Sequence, residues 1–435
     1  MESNSWEAFF RLDFPNLHKP NDSFNRLSIF KPTATTELNV YSTVTNFKSS
    51  PYSGNKLLSR ALGCAMGNAI GDSLGSVLEF TPLDYNRNVI HDFHPYYFMH
   101  SLSIPGLSND FRLNVGQHTD DFAMALCLYD TLLVNGELNC IDLRHRFLRW
   151  WTTGYNNNFR FDSTRIPKTS VGLGGNISWS FQEILNEGKI TEHTKAGDSI
   201  TSGNGSIMRM SAIPLFYHKD LKEAIIKSAS QSLTTHQGEE ASDCCKIMSF
   251  IIFKALHSTQ PLNAKKFLDD LDMSELLPYL KTKGGNHLAL SKCEEEIKEI
   301  TPYCIGPQDR DWNWKSKSFK YSPTRADNSP GYIGSYAMDG LSMALHCVYS
   351  TNTFPEAILK VVNIGGDSDS VGAVAGQIAG AIYGIESIDP LWLNYIMQWD
   401  NCGEIPLRAM CCILPELRDK VIDPSALINT NKKDS

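Results

Sequence analysis

Glycines at 372, 376, 380 and 384 recur every fourth residue through the run from Val371 to Gly384. In a helix of 3.6 residues per turn, positions four apart lie nearly above one another, so the four form one groove along which a second helix can approach closely. Each interior helical glycine costs up to about 1 kcal/mol relative to alanine. Four aligned glycines therefore need a packing reason, and they predict a central helix. The run is too short and too glycine-rich to span a bilayer, which takes about 20 apolar residues.

A second buried helix is predicted from Asn55, where Leu57, Leu58, Ala61, Leu62, Ala65, Met66, Ala69 and Ile70 follow i, i+3, i+4 spacing. Further helical patterns run over 121–134, 221–233, 241–256, 355–362 and 371–383, while convincing strand alternation is scarce. An all-α fold is expected. With 435 residues, 42% of them hydrophobic, the chain can bury a sizeable core. Residues 1–54 mix aromatics with Asn, Pro, Ser and Thr without a period and read as an irregular extension. Residues 55–422 read as one domain, in which 260–330 is an elaborated connection, and 423–435 as a frayed tail.

Several function classes are disfavoured. The first residues carry Glu2 where a signal peptide needs a basic segment, and no apolar run follows. The 11 cysteines are odd in number and sit in apolar surroundings, as at Cys64, Cys127 and Cys347, which suits reduced thiols and a cytoplasmic location. Cys244-Cys245 and Cys411-Cys412 lack the spacing of zinc sites. A net charge of -8 argues against a nucleic-acid partner, and nothing points to a membrane partner.

Two dense acidic groups stand immediately before helical patterns. Thr119-Asp120-Asp121 follows Gly116-Gln117-His118, and Gly365-Gly366-Asp367-Ser368-Asp369-Ser370 opens the glycine-spaced helix. Each alone reads as a capped helix start, because Ser, Thr and Asp are favoured N-caps and acids suit the positive helix end. A cap needs only one such residue, whereas the two groups together supply the donors of a binuclear site. Carboxylate and hydroxyl oxygens suit Mg²⁺ or Mn²⁺. The segment from Thr201 to Gly205 reads by itself as a turn, or as a loop whose backbone N–H groups can approach a phosphate. His236 alone reads as structural.

Five segments taken together resemble a known family. The glycine-rich stretch from Gly63 to Gly75, Thr119-Asp120-Asp121, the Gly203-Asn204-Gly205-Ser206-Ile207-Met208-Arg209 run, Thr234-Thr235-His236 and the 365–370 segment are similar, in order, to motifs of the ADP-ribosylglycohydrolase family. The match covers about 57–396, and 371–384 resembles the bacterial members that reactivate dinitrogenase reductase. The resemblance implies an all-α, orthogonal multi-helix bundle with two Mg²⁺ or Mn²⁺ ions in a cleft. It also implies hydrolysis of the bond joining ADP-ribose to an acceptor side chain. Thr119, Asp120, Asp121, Asp367, Asp369 and Ser370 are the implied metal ligands, and Asp121 and Glu79 the implied catalytic carboxylates. Thr201, Ser202, Gly203, Asn204, Gly205 and His236 are the implied ADP-ribose contacts.

Asp72, which recurs in the family, is expected to support neighbouring site residues rather than bind metal. Arg209 is expected either near a phosphate or in a buried ion pair. The ions would orient the ribose and activate water near neutral pH, with a site carboxylate relaying protons. Phe122 departs from the small hydroxyl residue common after the first acidic pair. The serines of Asp-Ser-Asp-Ser resemble some arginine-directed members, so an ADP-ribosylated protein with an arginine acceptor is the favoured substrate. In some bacterial members a leader comparable to 1–54 plugs an ADP-ribosyltransferase toxin, so an immunity protein acting through that leader is one alternative. A pyrophosphatase cutting between phosphates is another.

Overall fold

The computed structural model describes residues 28–99, 106–198, 201–259, 262–293, 311–320, 329–401 and 403–426. Among these, eleven helices have eight or more residues: α1 (Lys56–Gly75), α2 (Asp120–Asn135), α3 (Cys140–Thr153), α4 (Gly175–Glu187), α5 (Leu221–Ser232), α6 (Glu239–His257), α7 (Ala337–Tyr349), α8 (Phe354–Asn363), α9 (Ser368–Tyr383), α10 (Pro390–Met397) and α11 (Glu404–Ile413). Extended pairing among the described residues is limited to isolated bridges. The fold is all-α, and no helix among the described residues is long and apolar enough to cross a membrane.

Periodicity anticipated α1, α2, α5, α6, α8 and α9, with ends shifted by a few residues. It missed α3, α4, α7, α10 and α11. In α3 the buried side includes Arg144, Arg146 and Arg149, which interrupt an apolar stripe. Those charges are carried inward by partners: Arg146 Nε lies 2.7 Å from Asp142 Oδ2, and Arg144 Nη2 lies 3.4 Å from Glu183 Oε2.

The glycine groove of α9 is filled by α1, which brings four glycines of its own. A Cβ at Gly63 would overlap the carbonyl oxygen of Gly380, one at Gly67 that of Gly376, one at Gly71 that of Gly372, and one at Gly75 that of Ser368. Backbone lies on backbone along the whole seam. As numbers rise in α1 they fall in α9, so the helices are antiparallel and the C-terminal end of α1 meets the N-terminal end of α9. Both are buried along nearly their full length, with α6, α7 and α8 also packed on α9. This register sets Asp72 and the segment after α1 beside Asp367 and Asp369.

The packed fold begins before Asn55, which corrects the expected boundary for the residues described. Ile29, Phe30, Val40, Val44 and Phe47 are buried, the last three in or after two short helices, Ala34–Glu37 and Val40–Thr45. Helices this short display no period in sequence. Lys31 N donates to the Val421 carbonyl and Asp423 N to that of Ile29, both at 2.9 Å, so the segment is tied to the far end of the domain. Residues 1–27, half of the expected partner-binding arm, and 427–435 of the expected tail lie outside the described residues. Of the 260–330 region, 260–261, 294–310 and 321–328 lie outside them too, whereas Trp312 and Trp314 are buried. Cys244, Cys245, Cys411 and Cys412 are buried thiols without disulfides.

Candidate active site

Two local ties fix the ends of the helices on which the acidic groups stand. Gly365 and Gly366 both adopt left-handed φ, 80° and 71°, a path open to glycine at little cost. The turn lets Gly366 pair with the segment after α1: Phe80 N donates to the Gly366 carbonyl and Gly366 N to that of Thr81, each at 2.8 Å. Glu79 and Asp367 are thereby held on adjacent backbones. On the other side Asp72, in the last turn of α1, accepts from Thr119 N, Thr119 Oγ1 and Phe122 N, each at 2.9 Å. It caps α2 from a different helix, where the N-cap Thr119 makes no side-chain cap bond itself. Asp72 thus positions Thr119 and the start of α2. Asp72→Ala strands two buried N–H donors and is expected to cost about 1–3 kcal/mol for each, read as a lowered urea midpoint; an unchanged midpoint would contradict the capping role.

Carboxylate oxygens of Asp72, Asp121 and Asp369 lie within 4.8 Å of one another. Thr119 Oγ1 sits 3.1 Å from Asp121 Oδ2 and 3.4 Å from Asp369 Oδ2. Asp367 Oδ2 accepts from Ser335 Oγ at 2.6 Å and Asn204 Nδ2 at 3.1 Å. Asp121 Oδ1 is buried with no hydrogen-bond partner among the described residues. None of the ion pairs among the described residues involves this group of carboxylates.

Burial, then neighbouring charge, pushes the carboxyls up. Glu79 is raised by burial and by Asp369, Asp367 and Asp120; Asp120 by burial, Asp121 and Asp369; Asp121 by burial, Asp72 and Asp367; Asp369 by burial, Asp121 and Asp367. Asp72 is raised by burial and Asp369 to about 7. Buried carboxylates of one sign are costly without a countercharge. An orphaned oxygen in an all-oxygen donor set is what a hard divalent cation satisfies, so the residues fit Mg²⁺ or Mn²⁺.

The acidic group lines a cleft of about 560 Å³. Glu79, Asp120, Asp121, Asp367, Asp369, Ser370, Gly203, Asn204, Gly205 and His236 all line it. Thr119 lies beneath, against Asp121 and Asp369. Thr201 and Ser202 do not line it: the Thr201 hydroxyl bonds Asp198, and Ser202 Oγ accepts from Ala241 N in the first turn of α6. Asn204 is largely committed to the scaffold, its backbone N–H to the Ser335 carbonyl at 2.8 Å and its side-chain amide to Gly334 and Asp367.

Arg209 corrects both expectations held for it. It bonds neither a carboxylate nor the cleft; it donates to Gln231, Thr234 and Thr235 and stacks over Phe147. Burial lowers it to about 9. Thr235 Oγ1 accepts from Arg209 Nη2 at 2.8 Å and lies 2.8 Å from His236 Nδ1. Among the described residues Nδ1 is the one acceptor recorded for the buried Thr235 hydroxyl hydrogen, so the hydroxyl donates to Nδ1, which assigns the proton to Nε2. That nitrogen faces Gly203 and Gly205: a Cβ at either would come within 3.3 and 3.2 Å of it. Burial and then Arg209 depress the imidazole to about 3, so it is a neutral donor.

Sequence reading missed Phe80, Phe111, Met208, Tyr332 and Ser335, and the whole Gly172-Leu173-Gly174-Gly175-Asn176 loop, all of which line the cleft. The segment carried a cue in Gly172 and Gly174 just before α4 and Gly175 at its first position. Gly172 is left-handed, and a Cβ there would overlap Asp120 Oδ1.

The family model described as ADP-ribosylglycohydrolase matches residues 53–419. A protein named ADP-ribosylarginine hydrolase Tri1 from Pseudomonas putida is 29% identical over 341 residues, 78% of this chain and 74% of that protein. ADP-ribosyl-[dinitrogen reductase] glycohydrolase from Rhodospirillum rubrum is 26% identical over 79% of this chain and 92% of its own. A solved structure titled ADP-ribosylglycohydrolase-related protein complex superposes with a TM-score of 0.55 at 23% identity, covering 82% of this chain and 98% of that one. That likeness supports the all-α fold.

Proposed function

The chain belongs to the ADP-ribosylglycohydrolase family, and on that premise we propose that it releases ADP-ribose from mono-ADP-ribosylated protein, with arginine as the acceptor, in a reaction dependent on two Mg²⁺ or Mn²⁺ ions. The observation that carries this reading is a buried acidic group, in no ion pair among the described residues, lining one cleft together with the Gly203–Gly205 backbone and the neutral His236. The arginine acceptor is supported by relatives named ADP-ribosylarginine hydrolase from Pseudomonas putida and Serratia proteamaculans.

Thr119, Asp120, Asp121, Asp367, Asp369 and Ser370 are the residues to hold the cations, which when bound supply Lewis acidity for the ribose hydroxyls and for water. Ser335 and Asn204 orient Asp367, and Asp72 orients Thr119 and the start of α2. Gly203, Gly205 and His236 Nε2 receive the diphosphate or ribose. Water oxygen bonds to C1′ of the ribose as the C1′–N bond breaks, its electron pair leaving on the guanidine nitrogen. The water proton passes to Asp121 or Glu79, and the departing nitrogen takes up a proton in turn.

The test is release of free ADP-ribose from arginine-modified protein, with products resolved by mass spectrometry. Activity is expected with Mg²⁺ or Mn²⁺ and lost on exhaustive chelation; AMP as the product, or full turnover in chelator, would refute the reading. His236→Ala is expected to weaken ADP-ribose binding about tenfold, the loss of one hydrogen bond. Because the imidazole stays neutral above about pH 5, the variant is expected to bind with the same pH dependence as the parent. A binding step near pH 6–7 that vanished with His236 would contradict its assignment.

A further inference from the structure

Two aromatic rings stand at the mouth of the cleft, and nothing in the proposed chemistry uses them. Phe80 is 40% exposed and Tyr332 65%, and their centroids lie 5.3 Å apart at a 45° tilt. Large apolar side chains left this open need a reason.

The pair is built rather than incidental. Phe80 holds a left-handed φ of 61°, uncommon for a bulky residue. Its N–H is tied to Gly366, and a Cβ at Gly331 would lie 2.6 Å from its carbonyl oxygen, so the turn is clamped from both sides. Leu83 N donates to the Pro330 carbonyl at 3.1 Å, joining the two ring-bearing segments.

Both rings are coupled to the acidic end. Phe80 follows Glu79 directly, and the Tyr332 carbonyl accepts from Ser335 N at 3.2 Å, the residue whose hydroxyl holds Asp367. A diphosphate is repelled by carboxylates and suits the Gly203–Gly205 backbone and the unsatisfied N–H groups where α4 begins at Gly175. Repulsion keeps the diphosphate off Glu79, Asp367 and Asp369, so the cationic acceptor is the part of the substrate suited to the rings beside them.

We propose that Phe80 and Tyr332 form the acceptor subsite and take the planar, cationic guanidinium of the modified arginine against their faces. A guanidinium stacks on aromatic rings, and the adjoining carboxylates favour its charge. The inference rests on the arginine reading above. It adds which residues select the acceptor.

The test uses Tyr332→Leu, Tyr332→Phe and Phe80→Leu in the full chain with Mg²⁺. Steady-state release from an ADP-ribosylarginine substrate is compared with calorimetric affinity for free ADP-ribose. Tyr332→Leu is expected to raise KM about 5- to 30-fold with kcat nearly unchanged and ADP-ribose affinity unchanged. Tyr332→Phe, which keeps the ring, is expected to behave as the parent, and Phe80→Leu to follow Tyr332→Leu in KM. An unchanged KM for Tyr332→Leu overturns the inference. A parallel fall in ADP-ribose affinity also overturns it, because the rings would then hold the adenine. A parent protein that releases nothing from arginine overturns the arginine reading itself, an outcome distinguishable from either.

Discussion

Asp369→Asn is expected to lower ADP-ribose release from arginine-modified protein by about 10³-fold or more, and at the same time to raise the thermal midpoint measured in excess chelator. The first effect follows from removing a ligand carboxylate. Cation charge stabilisation worth about 4 kcal/mol at the transition state corresponds to three decades of rate. The second follows from repulsion, since Asp369 is buried against Asp121 and Asp367 and raises Glu79, Asp72 and Asp120 in turn.

Without cation the native protein holds protons on Asp72, Glu79, Asp120, Asp121 and Asp369 that the unfolded chain would release. Each folded pKa lies above its unfolded value, so the stability contributed by protonation is present at low pH and is lost as pH rises from the ordinary carboxylate range through the raised values, about 7 for Asp72. The variant should flatten that loss. Adding Mg²⁺ should reverse the order, because binding to the native state stabilises the parent by about 2.7 kcal/mol at a hundredfold excess over Kd and the variant by less. A variant that keeps full turnover, or whose midpoint falls in chelator, would dismiss the acidic group as the cation site.

Gly376→Val is expected to cost about 4–5 kcal/mol or more, enough to leave much of the protein unfolded or insoluble. A side chain there meets the Gly67 carbonyl, which cannot rotate away as a flexible side-chain tip would. The helices must part, and because Asp72 stands on α1 and Asp369 on α9, any separation also opens the carboxylate cluster. Gly175→Ala is the control for glycine loss as such: a Cβ there meets nothing within 4 Å, and its stability change is expected to stay within about 1 kcal/mol. Guanidinium unfolding of both variants checks the contrast. A parent-like midpoint for Gly376→Val would mean that the seam tolerates a wider spacing.

Much of this was present in local spacing. The four glycines of α9 announced a backbone-close partner, although the matching glycines at 63, 67, 71 and 75 passed without being read as the other half of the seam. The two acidic segments were recognisable as helix starts with more oxygen donors than a cap requires. Arg209 and Asn204 show where spacing stops being informative. Each sits within a motif beside the ligand loop, yet Arg209 braces Thr235 and His236 from behind and Asn204 steadies Asp367. Thr201 and Ser202 similarly face Asp198 and α6 rather than the cleft.

The sequence by itself determined six of the eleven longer helices, the glycine groove of α9 and the oxygen chemistry, because these follow from periods of 3.6 and from side-chain type within a few residues. Tertiary structure alone decided which carboxylates meet, which of them are in no ion pair among the described residues, and that Phe80 and Tyr332 meet at the lining of one cleft. Residues 252 positions apart in the chain come into register there only because backbone contact at the seam fixes where one helix ends against the start of another.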